Sequence, residues 1–394
     1  MINIMSTDTS IRNRCTGCMA CKSVCQRHCI LSEEDEEGFL FPIVDEKRCV
    51  ECGACIKVCP LQNKAPMNNM SNGYIALGED NRNSSSGGIF YELAKFVISQ
   101  NGYVTGCIMD DYFKVKHILT DKIDEVKKMR GSKYVQSNIE GIYERISELI
   151  KSDKKVLFSG TPCQCAAIIN YLGGHPNNLI LIDLICHGVP APLFWEKHIA
   201  NICQKEKINP QSILFREKDE FKRTEFNLVI SSEHDSVSIP AKCDAFYCQY
   251  IKCNSLRESC YLCDYSTKMR LGDITLGDCA SWKDYMDFFP HYATSVVFIN
   301  TKLGRNLWDK CTNRIKYKKI DVKKEIEKNN ALSKCSERRE ERNEIYKDLA
   351  RLSESEFSQK YSERITMYDF IKNLIKRVIP VNTRETIRKK IINR

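Results

Sequence analysis

The sequence predicts a small α+β module at the amino end, then a mixed α/β region with a partly parallel sheet, then a helical, basic carboxyl-terminal tail. Three observations predict it. A cysteine pattern occurs twice before residue 60, two apolar strand-like runs flank a helix pattern near residue 160, and the chain turns charged and helical beyond residue 300 with little new core. At 394 residues the chain exceeds the usual size of one core. Composition shifts set the divisions at 1–66, 67–152, 153–330 and 331–394.

In the first module Cys15, Cys18, Cys21 and Cys25 follow C-x2-C-x2-C-x3-C, and Cys49, Cys52, Cys55 and Cys59 repeat the spacing, with Pro60 next. Three thiolates on one tight loop can cap three irons of a cubane; the fourth iron takes a cysteine from the other run. One [4Fe–4S] cluster then uses Cys15, Cys18, Cys21 and Cys59, and the other uses Cys49, Cys52, Cys55 and Cys25. Gly17 and Gly53 suit the close approach of backbone to the inorganic core. Zinc is the alternative for paired C-x2-C motifs, but two complete four-cysteine runs favour clusters. The segment resembles the bacterial-type two-[4Fe–4S] ferredoxin domain. It departs from that pattern at Gln26, where a proline is usual, and Phe39-Leu40-Phe41 is expected to pack over the clusters. Cys29 is a spare thiol nearby and reads as a bystander.

With 22 cysteines, no signal-peptide pattern and no apolar stretch of membrane-spanning length, a reducing cytoplasm is expected, its thiols serving metal. The net charge of +9 gathers in Lys316–Lys319 and from Lys372 to Arg394. That reads as a solvated basic surface; contact with an acidic partner or an anionic membrane face is the alternative, and Pro380 argues against one continuous surface helix. No nucleic-acid motif accompanies the charge.

Polar residues from Lys64 to Asn72 suggest a linker. Tyr74–Leu77, Tyr103–Met109 and Val115–Leu119 read as strands, and Ile89–Ser99 and Ile139–Ile150 as helices. Val156–Phe158 is an apolar strand running into Thr161, a good cap, and Pro162, suited to the first helical position. Leu179–Ile185 is a second buried strand, so the pair with its intervening helix forms a βαβ unit. Function in such sheets gathers at the carboxyl ends of strands. No G-x-G-x-x-G follows a strand and there is no P-loop. A flavin, a further cluster, or both remain.

Four later segments carry a second resemblance: Ser84-Ser85-Ser86-Gly87-Gly88, Ser159-Gly160-Thr161-Pro162-Cys163-Gln164, Asp183-Leu184-Ile185-Cys186-His187-Gly188, and Ser259 to Asp278. In this order behind a two-cluster module they look like the coenzyme F420 hydrogenase/dehydrogenase beta-subunit family. The resemblance implies an iron–sulfur flavoprotein whose FAD passes electrons between clusters and the deazaflavin F420 or another small-molecule substrate. Relatives also occur in surface-polysaccharide gene clusters, which the basic tail fits equally well.

It further implies roles for particular residues. Ser86, Gly87 and Gly88 would hold a pyrophosphate at a helix start, or else form an ordinary cap and turn. Gly160, Thr161 and Pro162 would line the same pocket, with Ser132 and Lys133 a third candidate; Lys133 is a phosphate partner or simply solvated. Cys163, Cys186, Cys260 and Cys263 would hold a third [4Fe–4S] cluster, or else be small buried hydrophobes. Cys243, Cys248 and Cys253 read as core residues, and His187 is the candidate acid/base or a loop hydrogen-bonder. After Gly277-Asp278 the family continues with aromatics and glycine, whereas Cys279-Ala280-Ser281 stands here. The expected function is a flavin-dependent oxidoreductase fed by a redox partner protein or ferredoxin. The alternatives are a relay subunit of a larger complex and a flavin-free cluster-bearing sensor.

Overall fold

The computed structural model describes residues 9–217, 226–289 and 293–364, together with 371 and 383. The strands in chain order are β1 (Ile30–Glu34), β2 (Leu40–Val44), β3 (Asn68–Asn69), β4 (Asn72–Gly78), β5 (Tyr103–Met109), β6 (Val115–Thr120), β7 (Val156–Gly160) and β8 (Leu179–Leu184). They continue with β9 (Ser212–Leu214), β10 (Asn227–Ser231), β11 (Ser236–Pro240), β12 (Met269–Arg270), β13 (Ile274–Asp278), β14 (Ser295–Ile299) and β15 (Ile315–Lys319). The helices used below are α1 (Thr9–Arg14), α2 (Ala20–Ser23), α3 (Ala54–Val58), α4 (Ile89–Ser99), α5 (Ile123–Lys128), α6 (Ile142–Lys151), α7 (Pro162–Leu172) and α8 (Pro192–Glu206). The last six are α9 (Ala245–Ile251), α10 (Glu258–Tyr261), α11 (Lys302–Cys311), α12 (Val322–Lys328), α13 (Glu341–Arg351) and α14 (Glu354–Tyr361).

An eight-stranded sheet, ordered β15-β4-β14-β13-β8-β7-β5-β6, is the frame. Its middle strands β5, β7, β8 and β13 are parallel, and the flanking pairs are antiparallel. β4 lies two antiparallel steps from β13, so it points the same way. The loops leaving β4, β7, β8 and β13 therefore open at one edge, where β6 also begins. The central strands β7 and β8 read as largely apolar runs because both faces are covered. On one face lie α4, α5 and α11, with Leu93, Val97, Val126, Leu307 and Trp308 buried against Leu157, Ile182 and Ile274. Burying each such side chain stabilises the fold by roughly 1.5–3 kcal/mol. On the other face lie α6 and α7, and the cysteine module rests on them through Ala20, Val58 and Ala65.

The βαβ expectation holds in detail. Pro162 opens α7, Thr161 and Gln164 form a reciprocal capping box, and Gly173 closes the helix at φ 71°. Two expectations are corrected. The polar stretch before residue 72 is structured, since Asn68 and Asn69 pair with Arg270 and Met269. The chain beyond 300 adds core after all. α11 buries Leu307, Trp308 and Cys311, and the last helices bury Ile345, Phe357 and Tyr361 with Phe194, Trp195 and Phe246. Many of the charged residues there stand on outward faces, as on the edge strand β15, where only Ile315 is buried, whereas Glu325, Arg342 and Asp348 are enclosed. The basic stretch from Lys372 lies outside the described residues, apart from 383. Among the described residues no helix is long and apolar enough to cross a membrane.

Candidate functional site

Each cysteine run wraps a tight loop into a short helix, and Gly17 and Gly53 take left-handed backbone at φ 65° and 72°. Thiols of the two runs act on one another electrostatically in the first group. Burial pushes the Cys18 thiol up to about 12, with Cys15, Cys59 and Cys163 adding to the rise. Burial likewise raises Cys21, assisted by Cys18, Cys15 and Cys59. In the second group Cys55 is raised by burial and by Cys49 and Cys52. Cys25 enters this group through Cys29, whose Sγ lies 3.3 Å from that of Cys25 and which also neighbours Cys49.

The thiols of the third set also act on one another. Burial pushes Cys163 up to about 12 and Cys186 up to about 11, and Cys263 raises both. Cys260 is raised by burial and by Cys186, Cys163 and Cys263. The donor chemistry of all three sets fits iron–sulfur binding, since soft thiols brought near one another are taken by a cation as thiolates. Among the described residues no group of three or more His, Cys, Asp or Glu closes on a single metal ion.

Two tyrosines and an arginine join the module to the sheet edge. Tyr143 Oη donates to the Cys18 carbonyl at 2.9 Å, and Tyr265, raised by burial beside Cys163, Cys18 and Cys263, reaches the Pro60 carbonyl at 3.5 Å. Arg257 is 1% exposed. Its Nε donates to Cys15 O at 2.7 Å, Nη1 to Gln136 Oε1 at 3.0 Å and Nη2 to Leu40 O at 3.0 Å. It also lies over the Phe41 ring at 4.1 Å, which is how Phe39-Leu40-Phe41 is used. Behind the third set, Arg270 and Asp183 form a buried ion pair at 3.0 Å. Arg270 also donates to Leu184 O, and Thr275 to Asp183, which fixes the end of β8 just before Cys186.

The three flavin-candidate segments meet at the same edge. Ser85 Oγ accepts from the Ser132 backbone N–H at 2.6 Å, joining the loop after β4 to the Ser132-Lys133 turn. Lys133 is turned inward rather than solvated: Nζ donates to the carbonyls of Lys128 at 2.7 Å and Arg130 at 2.9 Å, and burial pulls its ammonium down to about 8. His117 connects this turn to the β7 loop. Its Nε2 lies 3.2 Å from Ser159 O, so that nitrogen carries the proton, and burial, with some help from Lys133, pulls its pKa down to about 4. Thr161 Oγ1 stands 3.1 Å from Cys163 Sγ, so the Gly160-Thr161-Pro162 turn adjoins the third cysteine set.

The glycines here have packing roles. A Cβ on Gly87 would stand 2.3 Å from Ala76 O, and Ser86 Oγ donates to Thr294 O at 2.9 Å. Gly88 is left-handed at φ 76° and caps α4. His187 keeps an exposed edge, its ring centroid lies 5.0 Å from that of Tyr250, and crowding lowers its pKa. Where the family pattern breaks, Glu325 of α12 accepts from the backbone N–H groups of Ala280 and Ser281, both at 2.8 Å, and clamps the loop from behind. Of the three cysteines expected in the core, Cys248 is buried while Cys243 and Cys253 are half-buried. Sequence reading missed Arg257, Arg270, His117 and Tyr143; a buried arginine or histidine carries no local signature.

Comparison with known proteins bears on this arrangement. Residues 14–63 match the 4Fe-4S dicluster domain, and residues 153–325 match the carboxyl terminus of the coenzyme F420 hydrogenase/dehydrogenase beta chain. No curated protein matches the sequence. Among solved structures, a chain of the F420-reducing [NiFe] hydrogenase complex from Methanosarcina barkeri aligns at 17% identity and a TM-score of 0.45, over 67% of this chain and 91% of that one. Behind an iron–sulfur module at 14–63, residues 153–325 are thus similar to the carboxyl-terminal domain of coenzyme F420 hydrogenase/dehydrogenase beta subunits.

Proposed function

We propose that this protein is an iron–sulfur flavoprotein oxidoreductase in which three cysteine quartets lead electrons from the amino-terminal module to a flavin at the sheet edge. One observation carries the reading: the Cys163 thiol is coupled electrostatically both to Cys18 of the first quartet and to Cys186 and Cys263. On this reading electrons would pass from Cys25/49/52/55 to Cys15/18/21/59 and then to Cys163/186/260/263, which the mutual influence of Cys59 and Cys55 supports. Thr161, on Cys163, and the Ser85, Ser132 and Lys133 cluster come next. A bound FAD would convert single electrons into a two-electron transfer to a small substrate or deazaflavin. The chain's own part is to fix the cofactors, exclude water with Tyr143 and Tyr265, and offer His187 as the group that holds a substrate proton. A role in surface-polysaccharide synthesis and a redox partner protein as donor belong to the same proposal.

The test is iron, sulfide and flavin quantitation on one anaerobic preparation, with Cys163→Ala/Cys263→Ala beside wild type. About twelve irons and one flavin in wild type, with one cluster's iron lost in the variant, are expected. About eight irons, no flavin and an unaffected variant would overturn the reading. A flavin-free relay is the second reading, favoured by Ser86 and Lys133 already bonding to backbone carbonyls. Three quartets filled without flavin would decide for it.

A further inference from the structure

The second quartet has a fifth thiol. Cys29 Sγ lies 3.3 Å from Cys25 Sγ, and Cys29 also neighbours Cys49. Two sulfurs in contact cannot serve two different corners of one cubane, since the cube's edge separates its corner ligands. They offer two donors to one corner. The two sit on unlike supports. Cys25 follows α2 in the loop that lacks the usual proline, a turn that continues through His28 at φ 47°. An open cavity of about 470 Å³ borders that loop, lined by Ser23, Val24, Cys25, Gln26, His28 and Tyr171. Cys29 is 3% exposed and immediately precedes β1. Its carbonyl accepts from the Asp45 N–H at 2.7 Å, and Ile30 next to it pairs with Val44. One thiol is on a loop with room to move, and the other is built into the hairpin.

We infer that Cys25 and Cys29 are interchangeable ligands for a single iron of the second cluster, Cys29 taking the corner when Cys25 leaves it. This rests on the proposed ligation of that cluster by Cys49, Cys52 and Cys55. The exchange is redox-neutral. The iron–sulfur bond to Cys25 breaks, one to Cys29 forms, and the Cys29 thiol proton passes to the Cys25 thiolate across the contact. The cavity gives the displaced Cys25 somewhere to swing, so the cluster keeps four thiolates while this loop opens.

The experiment compares iron and sulfide per chain, and the electron paramagnetic resonance of the dithionite-reduced protein, in Cys25→Ala, Cys29→Ala, the double variant and Cys52→Ala. Far-ultraviolet circular dichroism checks the fold of each. The run around Cys52 holds no cysteine beyond the four of its motif, so Cys52→Ala shows what loss of a sole ligand does. The expected result is wild-type iron in both single variants, with an altered cluster signal in Cys25→Ala, and loss of one cluster's iron in the double variant. If Cys52→Ala loses no iron, the reading of the second cluster itself fails. If Cys52→Ala loses iron and either single variant loses as much as the double, the interchange is overturned and one cysteine is the sole ligand. For a variant that does not fold, the serine version at the same position, a weaker oxygen ligand of similar size, is read by the same criteria.

Discussion

Replacing Arg257 with methionine should loosen the cysteine module more than any single change in the module's own surface. The side chain is fully enclosed, and methionine fills much of its volume while removing three charge-assisted hydrogen bonds to Cys15 O, Gln136 Oε1 and Leu40 O. Hydrogen bonds to a charged group contribute about 1.5–3 kcal/mol each, but the guanidinium's own burial offsets part of that. Three such bonds give about 4.5 kcal/mol at the lower end, and the burial offset leaves a net loss of about 3 kcal/mol. It falls on local opening of the loop that carries Cys15, because that is where the shortest bond ends. Each 1.36 kcal/mol is tenfold in population, so the open form should rise by about two orders of magnitude. The assay is anaerobic iron release to a colorimetric chelator in excess, where the rate follows the open population if reclosing is fast. Release about a hundredfold faster than wild type is expected, with Arg257→Lys intermediate because one ammonium cannot reproduce a planar fork. A rate within about threefold of wild type would refute the reasoning, since that corresponds to under 1 kcal/mol.

Other outcomes follow from the same geometry. His198 lies 2.7 Å from Asp244 and 3.5 Å from Glu354; burial alone would lower its pKa, but the two carboxylates outweigh it and raise the value to about 9. The folded pKa exceeds the unfolded 6.5, so the contribution is complete below 6.5 and lost as pH rises through 9. Denaturant midpoints should show wild type losing roughly 3 kcal/mol across that window relative to His198→Gln; a pH-independent gap would sink this. Arg270→Met should cost about 3–5 kcal/mol by stranding Asp183, and adding Asp183→Asn should recover part of it. Equal losses in the single and double variants, measured by chemical denaturation, would deny the coupling. Gly87→Ala should destabilise the fold whether or not flavin is present, because its Cβ would stand 2.3 Å from a backbone oxygen. A variant with wild-type stability and only weaker flavin retention would restore the pyrophosphate role.

Much of the frame was legible in sequence because its signals are local. Val156–Gly160 and Leu179–Leu184 are apolar runs too short for helices, and Thr161-Pro162 marks a helix start by chemistry alone. The two four-cysteine runs were legible too, because their spacing is a local pattern. The third set was different. Its members come from three separated loops, and only a sheet that brings the ends of β7 and β8 together unites them. The buried cations were not legible at all. Arg257, Arg270 and Arg342, the last on α13 and 3% exposed, sit in charged or polar surroundings in sequence, and nothing local separates them from solvated arginines. The lysine-rich strand misled for the converse reason: charge on one face hid the core contributed by Ile315 and the helix before it.

Arg342 of α13 holds Glu37 in the β1–β2 hairpin and Glu258 in α10 at the same time, with contacts of 2.6 and 2.9 Å. Together with Arg257 it fastens the cysteine module to α10, α13 and the loop carrying Gln136. Many electron carriers on multidomain chains work as swinging arms, whose speed depends on tether length and on the drag of the surrounding liquid. A module fastened in this way has no arc to sweep. Its transfers would be hops over set distances, indifferent to glycerol or sucrose in the medium, and any slowing by such thickeners would have to arise where an outside donor arrives.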